Sequence, residues 1–259
     1  MDSKLKEHLL KVTSKEDTSW LDGRTILLAQ TGSHAYGTNI EDSDKDFKGI
    51  CIPPKDFFLG LNSYNEYNSS GGKNFKNTKD DIDVNIIHIN KFVLDAMKGS
   101  PNNIELLFID KEDYLRLTEL GEILVDNRHL FISKTLKSRF RGYAKGEIDR
   151  MEMLGRAELI EKYGYDTKMF MHSARLLTSA IEILKTGTFT TRRPNRDFLL
   201  ECRRGKYSLK EAHKIVIELD RELESAYINS TIQEEPDKDK INSLLISINE
   251  KALNMKTLI

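Results

Sequence analysis

The chain has 259 residues, which is enough for one large domain or two smaller ones. Charged residues make up 31% of it and the formal net charge is −1, which argues against a protein that coats a polyanion with its whole surface. The charge is uneven, because residues 131–214 hold nineteen Lys and Arg against ten Asp and Glu, so this region is near +9 and suits a bound anion.

The first 112 residues are predicted to form a small α/β region. Apolar runs of strand length alternate with turn-rich segments, which is typical of strands joined by loops. The stretch 104–109 fits either a strand or a buried helical turn. The predicted elements are, in chain order, a helix over 4–20, a strand over 24–30, a helix over 34–39, a strand that carries Asp44 and Asp46 and ends before Pro53, a polar loop over 55–80, a strand over 83–88 and a helix over 90–98.

From Tyr114 onward the apolar residues recur mostly at helical spacing. Turn-forming segments at 192–194 and 234–237 interrupt the pattern. The predicted helices span 114–125, 130–162, 166–186, 195–203, 208–228 and 238–256. The sequence therefore predicts an α+β fold, with a small mixed β-sheet core over residues 1–112 and a helical domain over 113–259 that completes a substrate cleft.

Two carboxylates, Asp44 and Asp46, lie two residues apart on the second predicted strand. Because side chains alternate along a strand, both point to the same face. They repel each other unless a cation neutralises them, and hard divalent ions such as Mg²⁺ prefer oxygen ligands. The Gly32-Ser33 turn ahead of them can offer backbone N–H groups and a hydroxyl to a phosphate. This combination indicates metal-assisted phosphoryl or nucleotidyl transfer, against the alternative of turn acids on a solvated edge.

A site of this kind needs a third carboxylate on a neighbouring strand. Asp83 is the first choice, because it begins the apolar run 84–89. Asp81 lies one pleat earlier on the same face and is the alternative. For Ser33 there is likewise a structural alternative, in which its side chain caps the helix that follows.

Three basic residues, Lys168, His172 and Arg175, recur at helical spacing and share one face of the predicted helix 166–186. Apolar residues flank them, so this stripe is expected to face inward, where cations need an anion such as a triphosphate. The alternatives are a solvated face, or an Arg175 that pairs with an internal acid such as Glu105. A second basic cluster over residues 192–206 fits either contact with RNA phosphates or a solvated surface.

Two cysteines, Cys51 and Cys202, lack metal-ligand partners at a useful spacing, so both are expected to be buried free thiols in a reducing compartment. The first residues lack the apolar core of a signal peptide, and no apolar run is long enough to span a bilayer. We therefore expect a soluble, cytoplasmic protein without a membrane partner.

The arrangement of Gly32-Ser33, a glycine a few residues on, and Ser43-Asp44-Lys45-Asp46 resembles the nucleotidyltransferase superfamily typified by DNA polymerase β. Within it the chain is most similar to the YcgL-like predicted nucleotidyltransferases of bacteria and phages. Looser matches extend the resemblance over roughly residues 24–225. They are Lys91-Phe92, Lys98-Gly99-Ser100-Pro101-Asn102, Glu105-Leu106-Leu107-Phe108, Tyr165-Asp166-Thr167-Lys168, Arg175-Leu176-Leu177, Thr186-Gly187 and Arg204-Gly205-Lys206-Tyr207-Ser208.

The resemblance implies an enzyme that moves a nucleoside monophosphate from an NTP to a hydroxyl and releases pyrophosphate by a two-metal mechanism. Mg²⁺ is the expected metal, with Mn²⁺ as an alternative, and ATP is the first candidate among the NTPs. The acceptor stays open between an RNA or tRNA end, a protein and a small molecule, and so does the oligomeric state. A catalytically inactive nucleotide- or RNA-binding module is the alternative function. The residues implied are Asp44, Asp46 and Asp83 as catalytic metal ligands, and Gly32, Ser33, Lys168, His172 and Arg175 as nucleotide-binding residues.

Overall fold

The structure is a computed structural model that describes residues 18–69, 82–255 and 258. The predicted helix over 4–20 and the candidate Asp81 therefore lie wholly or almost wholly outside the described residues. The chain divides into two compact units. We call residues 1–95, 106–128 and 238–259 the sheet unit, and residues 96–105 and 129–237 the helical unit. This division differs from a single boundary near residue 112, because the chain enters each unit more than once.

The sheet unit contains a five-stranded mixed sheet in the described part of the chain, with the order β3-β4-β2-β1-β5. Strands β2 and β4 run parallel, and the other neighbouring pairs are antiparallel. Together with the helices, this sheet confirms the predicted α+β class. The strands are β1 Thr25–Gln30, β2 Lys45–Cys51, β3 Glu66–Ser69, β4 Ile82–His88 and β5 Tyr114–Leu117.

Helices make up most of the remaining described chain. Their bounds are α1 Leu21–Arg24, α2 Gly32–Tyr36, α3 Asp56–Leu59, α4 Ile89–Met97, α5 Pro101–Leu107, α6 Glu119–Asp126, α7 Leu136–Ile148, α8 Ala157–Tyr163, α9 Thr167–Thr186, α10 Arg196–Arg203, α11 Leu209–Asn229 and α12 Lys238–Leu253, with short 3₁₀ turns at Lys111–Asp113 and Arg128–Phe131. No helix of the described residues is long and apolar enough to cross a membrane.

The two faces of the sheet differ in character around β2 and β4. On one face Phe47, Cys51, Val84 and Ile86 are buried in a single apolar cluster with Leu28. Because side chains alternate, the residues between them point to the other face. We call this second face the open face, since its residues at positions 46, 48, 83 and 85 are only half-buried. The apolar cluster thus fixes which side chains the open face presents.

Two sequence-based predictions in the sheet unit were wrong, and one that was left open is now decided. Tyr114–Leu117 forms a strand paired with β1 instead of the start of a helix, and the helix begins only after Thr118, whose hydroxyl accepts a hydrogen bond from the Gly121 N–H. The supposed polar loop over 55–80 contains both α3 and β3. Of the two options for residues 104–109, the helical one is correct, because α5 covers Pro101–Leu107.

The C-terminal helix α12 belongs to the sheet unit because it is tied to the beginning of β1. The buried guanidinium of Arg24 donates hydrogen bonds to the carbonyl oxygens of Ala252 and Met255, at 3.2 and 2.7 Å. It also donates to Ile52 and Pro53 at the end of β2. A single arginine therefore satisfies carbonyls at the end of β2 and at the end of α12, two elements that sequence periodicity does not relate.

The helical unit is organised around α9, which packs against α7, α10 and α11. The predicted single helix over 130–162 is wrong, since α7 ends at Ile148 and α8 begins at Ala157. The connection is held by Asp166, whose N–H donates to the Met151 carbonyl and whose carboxylate accepts from the Arg156 N–H. Both cysteines are buried free thiols, Cys202 here and Cys51 in the sheet unit.

Candidate active site

Three carboxylates meet on the open face of the sheet, and we call Asp44, Asp46 and Asp83 the acidic cluster. Each offers an oxygen, and these three atoms all lie within 4.8 Å of one another. All three side chains are half-buried. Among the described residues, this is the group of acids, histidines or cysteines with the geometry to hold a metal ion.

Strand pairing explains why these acids meet. Asp46 of β2 lies directly opposite Asp83 of β4 in the parallel register. Asp44 lies just before β2, two residues from Asp46, and so reaches the same side of the sheet. A shift of one residue in the β2–β4 register would turn Asp83 to the apolar side. The apolar cluster that includes Val84 and Phe47 on the opposite face prevents such a shift.

The loop after β1 is closely packed against the acidic cluster. Gly32 has a φ of +65°, and a Cβ atom built on it would collide with the Asp46 carboxylate. The preceding Thr31 N–H donates to the Asp46 carbonyl at 2.8 Å. Glycine is therefore required at position 32 both for its left-handed backbone and for the space that Asp46 occupies.

Ser33 lies inside the short helix α2, and Thr31 occupies the N-cap position without a side-chain capping bond. The alternative role of Ser33 as a helix cap is therefore not supported. Its carbonyl accepts from the Thr38 N–H at 2.9 Å, and Gly37 ends the helix in the left-handed conformation. Ser33 itself is half-buried.

The acidic cluster fits a hard divalent cation. All of its donors are carboxylate oxygens, which Mg²⁺ and Mn²⁺ prefer. Ligands of one Mg²⁺ lie about 2.1 Å from the ion, so opposite ligands are separated by about 4.2 Å. Oxygens within 4.8 Å of one another reach such a geometry with side-chain adjustments alone. Three like charges in so small a space also favour a cation on electrostatic grounds.

The basic stripe of α9 has a more varied environment than its spacing suggested. Arg175 is only 4% exposed, and its guanidinium donates to the carboxylate of Glu105, which is 3% exposed. Lys168 is half-buried at the first turn of the helix. The pairing of Arg175 is the arrangement that the sequence left open as an alternative to triphosphate binding. The role of the stripe in nucleotide binding stays a prediction.

His172, in the middle of the stripe, is held neutral. Desolvation lowers its pKa well below the ordinary value, and the positive charges of Arg175, Lys168, Arg156 and Arg203 act in the same direction. Two of these cations are themselves paired with carboxylates, Arg175 with Glu105 and Arg156 with Asp166. An anion bound beside His172 would raise its pKa.

The second basic cluster, over residues 192–206, is partly satisfied within the chain. Arg193 is buried and donates to Glu182 at 2.6 Å and to the Thr190 carbonyl at 2.9 Å. Lys206 forms an exposed ion pair with Glu201 at 2.7 Å. The contacts of these two residues support a structural role for this part of the cluster, and its contact with RNA stays a prediction.

Asp166 is a charged residue whose role the sequence patterns did not identify. It is fully buried and caps α9 by accepting from the N–H groups of Lys168 and Met169, at 2.9 and 3.0 Å. Its other oxygen accepts from the backbone and side chain of Arg156. The signal was present as an aspartate immediately before a helical pattern. Four hydrogen bonds to one carboxylate indicate a structural residue.

Comparisons with known proteins place the chain in a wider context. A protein-family model described as "RlaP: RNA repair pathway DNA polymerase beta family" matches residues 1–247. An uncharacterised 38.9 kDa protein from the nrdC–mobD intergenic region of Enterobacteria phage T4 is 30% identical over 135 residues. That match covers 51% of this chain and only 40% of the phage protein.

A solved structure of a nucleotidyltransferase-like protein from Exiguobacterium sibiricum 255-15 aligns with 94% of this chain and 77% of its own. The sequence identity is 11% and the TM-score is 0.28. Because this TM-score is low, assignment to a family rests on the sequence match over residues 1–247.

Proposed function

The chain belongs to the RNA repair pathway DNA polymerase β family, and we propose that it is a metal-dependent nucleotidyltransferase that moves a nucleoside monophosphate from an NTP to a hydroxyl. Membership makes it a DNA polymerase β-like nucleotidyltransferase in the general sense. The metal dependence, the nucleotide and the acceptor are parts of the proposal. The observation that carries them is the convergence of Asp44, Asp46 and Asp83 to within 4.8 Å.

In the proposed reaction, an acceptor hydroxyl oxygen attacks the α-phosphorus of the NTP. A new oxygen–phosphorus bond forms, the bond between the α-phosphorus and the bridging oxygen of the β-phosphate breaks, and pyrophosphate leaves. The hydroxyl proton passes to a carboxylate of the acidic cluster or to solvent. A bound divalent cation would stabilise the negative charge that develops on the phosphate oxygens.

Each acid has a role in this proposal. Asp44 and Asp46 would hold the cation and through it the nucleotide, and Asp83 is assigned to the nucleophile because it lies on the adjacent strand β4. We expect Asp83→Asn to reduce turnover by orders of magnitude while affecting Mg²⁺–ATP binding less. Asp44→Ala or Asp46→Ala should abolish transfer while the fold survives, since one of several repelling charges is removed.

Phosphate binding is assigned to two separate groups. At Gly32-Ser33, the backbone of Gly32 lies against the Asp46 carboxylate, which supports contact of this segment with a metal-bound nucleotide. Lys168 and His172 lie on one face of α9, with the side chains of Arg156 and Arg203 near enough to act on His172, which supports contact with a polyphosphate. Arg175 forms a buried ion pair with Glu105, and we assign it the role of stabilising the helical unit that carries Lys168 and His172. The family description names RNA repair, so an RNA end is the first acceptor to test.

The test is transfer of label from α-³²P-labelled NTPs to RNA, protein or small molecules of a cell lysate with Mg²⁺ or Mn²⁺. The wild type is compared with Asp46→Asn and with Asp42→Asn. Asp42→Asn is the control, because it removes the same charge from an exposed residue that is not part of the acidic cluster. Loss of transfer in Asp46→Asn alone supports the proposal. Nucleotide binding without transfer in the wild type would instead favour a binding module.

A further inference from the structure

We propose that a row of three polar side chains beside the acidic cluster binds the phosphate of a nucleic acid strand whose terminal hydroxyl is the acceptor. The row consists of Lys48, Asn85 and Asn68, and we call it the polar row. This inference rests on the proposed nucleotidyl transfer and adds the substrate class and the residues that hold it.

Strand register defines the polar row. Lys48 of β2 is the register partner of Asn85 of β4, and Asn85 is also the partner of Asn68 of β3. Lys48 and Asn85 each follow an acid of the cluster by two residues, so they share the open face with Asp46 and Asp83. Two residues along a strand correspond to about 7 Å. The polar row therefore runs parallel to the Asp46–Asp83 pair at that distance.

A cleft connects the two rows. It has a volume of ≈ 310 Å³ and is lined by the polar row, by Asp46 and Asp83, and by the backbone neighbours Phe47 and Val84. Lys48 and Asn85 are half-buried and Asn68 is exposed, so the row forms a floor that opens to solvent at β3. An acceptor lying in this cleft would contact the row and Asp83 at the same time.

The chemistry of the row suits a phosphate. An ammonium and two amides offer several N–H donors, although one N–H of Asn85 is already donated to the Tyr67 carbonyl at 3.4 Å, and no carboxylate belongs to this row. The nearest acid along β3 is Glu66, and Lys91 pairs with it at 3.2 Å. An anion bound on the row is therefore met by donors and by a positive charge, while the cation proposed for the acidic cluster offsets the charges of Asp46 and Asp83.

This chemistry favours a nucleic acid strand over a protein acceptor. In a polynucleotide a phosphate always lies one sugar away from the terminal hydroxyl, so a site that holds both is useful for every sequence. A serine or tyrosine hydroxyl in a protein has no anion at a fixed position beside it. Contacts from the row to a phosphate carry no sequence information, which fits binding of the backbone without sequence preference.

A structural role for Lys48 is the competing explanation, in which its ammonium simply balances the acidic cluster. The two roles predict different effects of a neutral residue at position 48 on the affinities for Mn²⁺ and for the strand. If Lys48 balances the acids, Lys48→Gln should strengthen binding of Mn²⁺. If it holds the acceptor, Lys48→Gln should weaken binding of the strand and leave Mn²⁺ affinity nearly unchanged.

The experiment measures fluorescence anisotropy of a 5′-fluorescein single-stranded RNA with a free 3′-hydroxyl, in the presence of Mn²⁺ and without NTP. We expect Lys48→Gln to raise the Kd about ten- to a hundredfold, and Asn85→Ala to raise it about three- to tenfold. Lys45→Gln is the matched control, because it removes the same charge from the same strand on the opposite face. Circular dichroism and melting confirm that each variant is folded, and calorimetry gives its Mn²⁺ affinity.

Transfer kinetics then separate failure of this inference from failure of the proposed function. Lys48→Gln should raise KM for the RNA acceptor while KM for the NTP stays within about twofold. Unchanged RNA affinity and unchanged acceptor KM in both variants overturn the inference even where the wild type is active. Transfer to protein in place of RNA also overturns it. A wild type that transfers no nucleotide to any acceptor overturns the proposed function, and the acceptor role of the row with it.

Discussion

Replacing Arg175 with methionine distinguishes two roles for this residue, a structural ion pair with Glu105 and the binding of a triphosphate. Arg175 and Glu105 are almost completely buried and form an ion pair within the helical unit. Arg175→Met keeps a long side chain and removes the charge, so Glu105 is left buried without its guanidinium. We expect the fold to be destabilised and the affinities for NTP and NMP to fall together, if at all.

The magnitude follows from the burial of both groups. Removing one partner of a buried ion pair costs about 3–5 kcal/mol, because the remaining charge is uncompensated. For a chain of this size 1 kcal/mol lowers Tm by about 2–4 °C, so the expected loss is about 6–20 °C. The double variant Glu105→Leu/Arg175→Met should recover most of this loss, since replacing both charges with apolar groups is often neutral or better. The coupling between the two positions appears as strong non-additivity.

The assay is thermal melting of the wild type, both single variants and the double variant, with calorimetric titration of ATP and AMP. Lys168→Ala is the comparison on the same helix, and we expect it to weaken ATP about ten- to a hundredfold more than AMP with little change in Tm. An Arg175→Met protein that melts like the wild type but loses ATP affinity selectively would refute the structural argument and assign Arg175 to the triphosphate.

Three further predictions concern single residues. Asp46→Asn should raise Tm slightly in the absence of metal. Mn²⁺ at a hundred times its Kd should raise the Tm of the wild type and of Asp42→Asn by about 5–10 °C, and Asp46→Asn should lose this increase. Equal Mn²⁺ responses of all three proteins in melting curves would exclude Asp46 as a ligand. Gly32→Ala should displace the Asp46 carboxylate and abolish Mn²⁺ binding by calorimetry in a folded protein, and retained binding would contradict this. His172 is neutral in the folded protein and takes up a proton near pH 6.5 in the unfolded chain, so its contribution to stability is lost as the pH falls below about 6.5. The Tm of His172→Gln should therefore depend less on pH between about 6.5 and 5 than the Tm of the wild type. An unchanged dependence of Tm on pH counts against the lowered pKa.

The sequence was sufficient to predict the bounds of strands β2 and β4, which position the acids, and of their neighbour β1. Strands β1, β2 and β4 begin and end within one or two residues of the predicted bounds, because each combines a buried apolar run with a clear turn signal. The same alternation put Asp83 on the face of Asp46, but it put Asp81 there as well, so the register that pairs Asp46 with Asp83 could not be predicted from it. Local pattern was enough where one face of a strand is apolar and the other is not.

Long-range contacts explain what the sequence did not predict. Tyr114–Leu117 is a strand only because β1 offers it an open edge, and its own apolar pattern suits a helix equally well. The end of α7 depends on Asp166, which holds the segment before α8 from a distance in sequence. The return of α12 to the sheet unit depends on hydrogen bonds from Arg24 across more than 200 residues. None of these partners is visible within a window of neighbouring residues.

Two groups of buried and half-buried charges among the described residues differ in kind, and the difference supports the assignment of the site. In the helical unit opposite charges meet, as in Arg175 with Glu105 and Arg193 with Glu182, which is the arrangement expected of structural pairs. In the acidic cluster three like charges meet within 4.8 Å. Repulsion between two carboxylates of this cluster costs about 1–4 kcal/mol at a separation of about 4 Å, and a cation bound among the oxygens would replace this repulsion with attraction. Gathering like charges costs stability without improving the packing of the sheet, which is the pattern expected of a functional site.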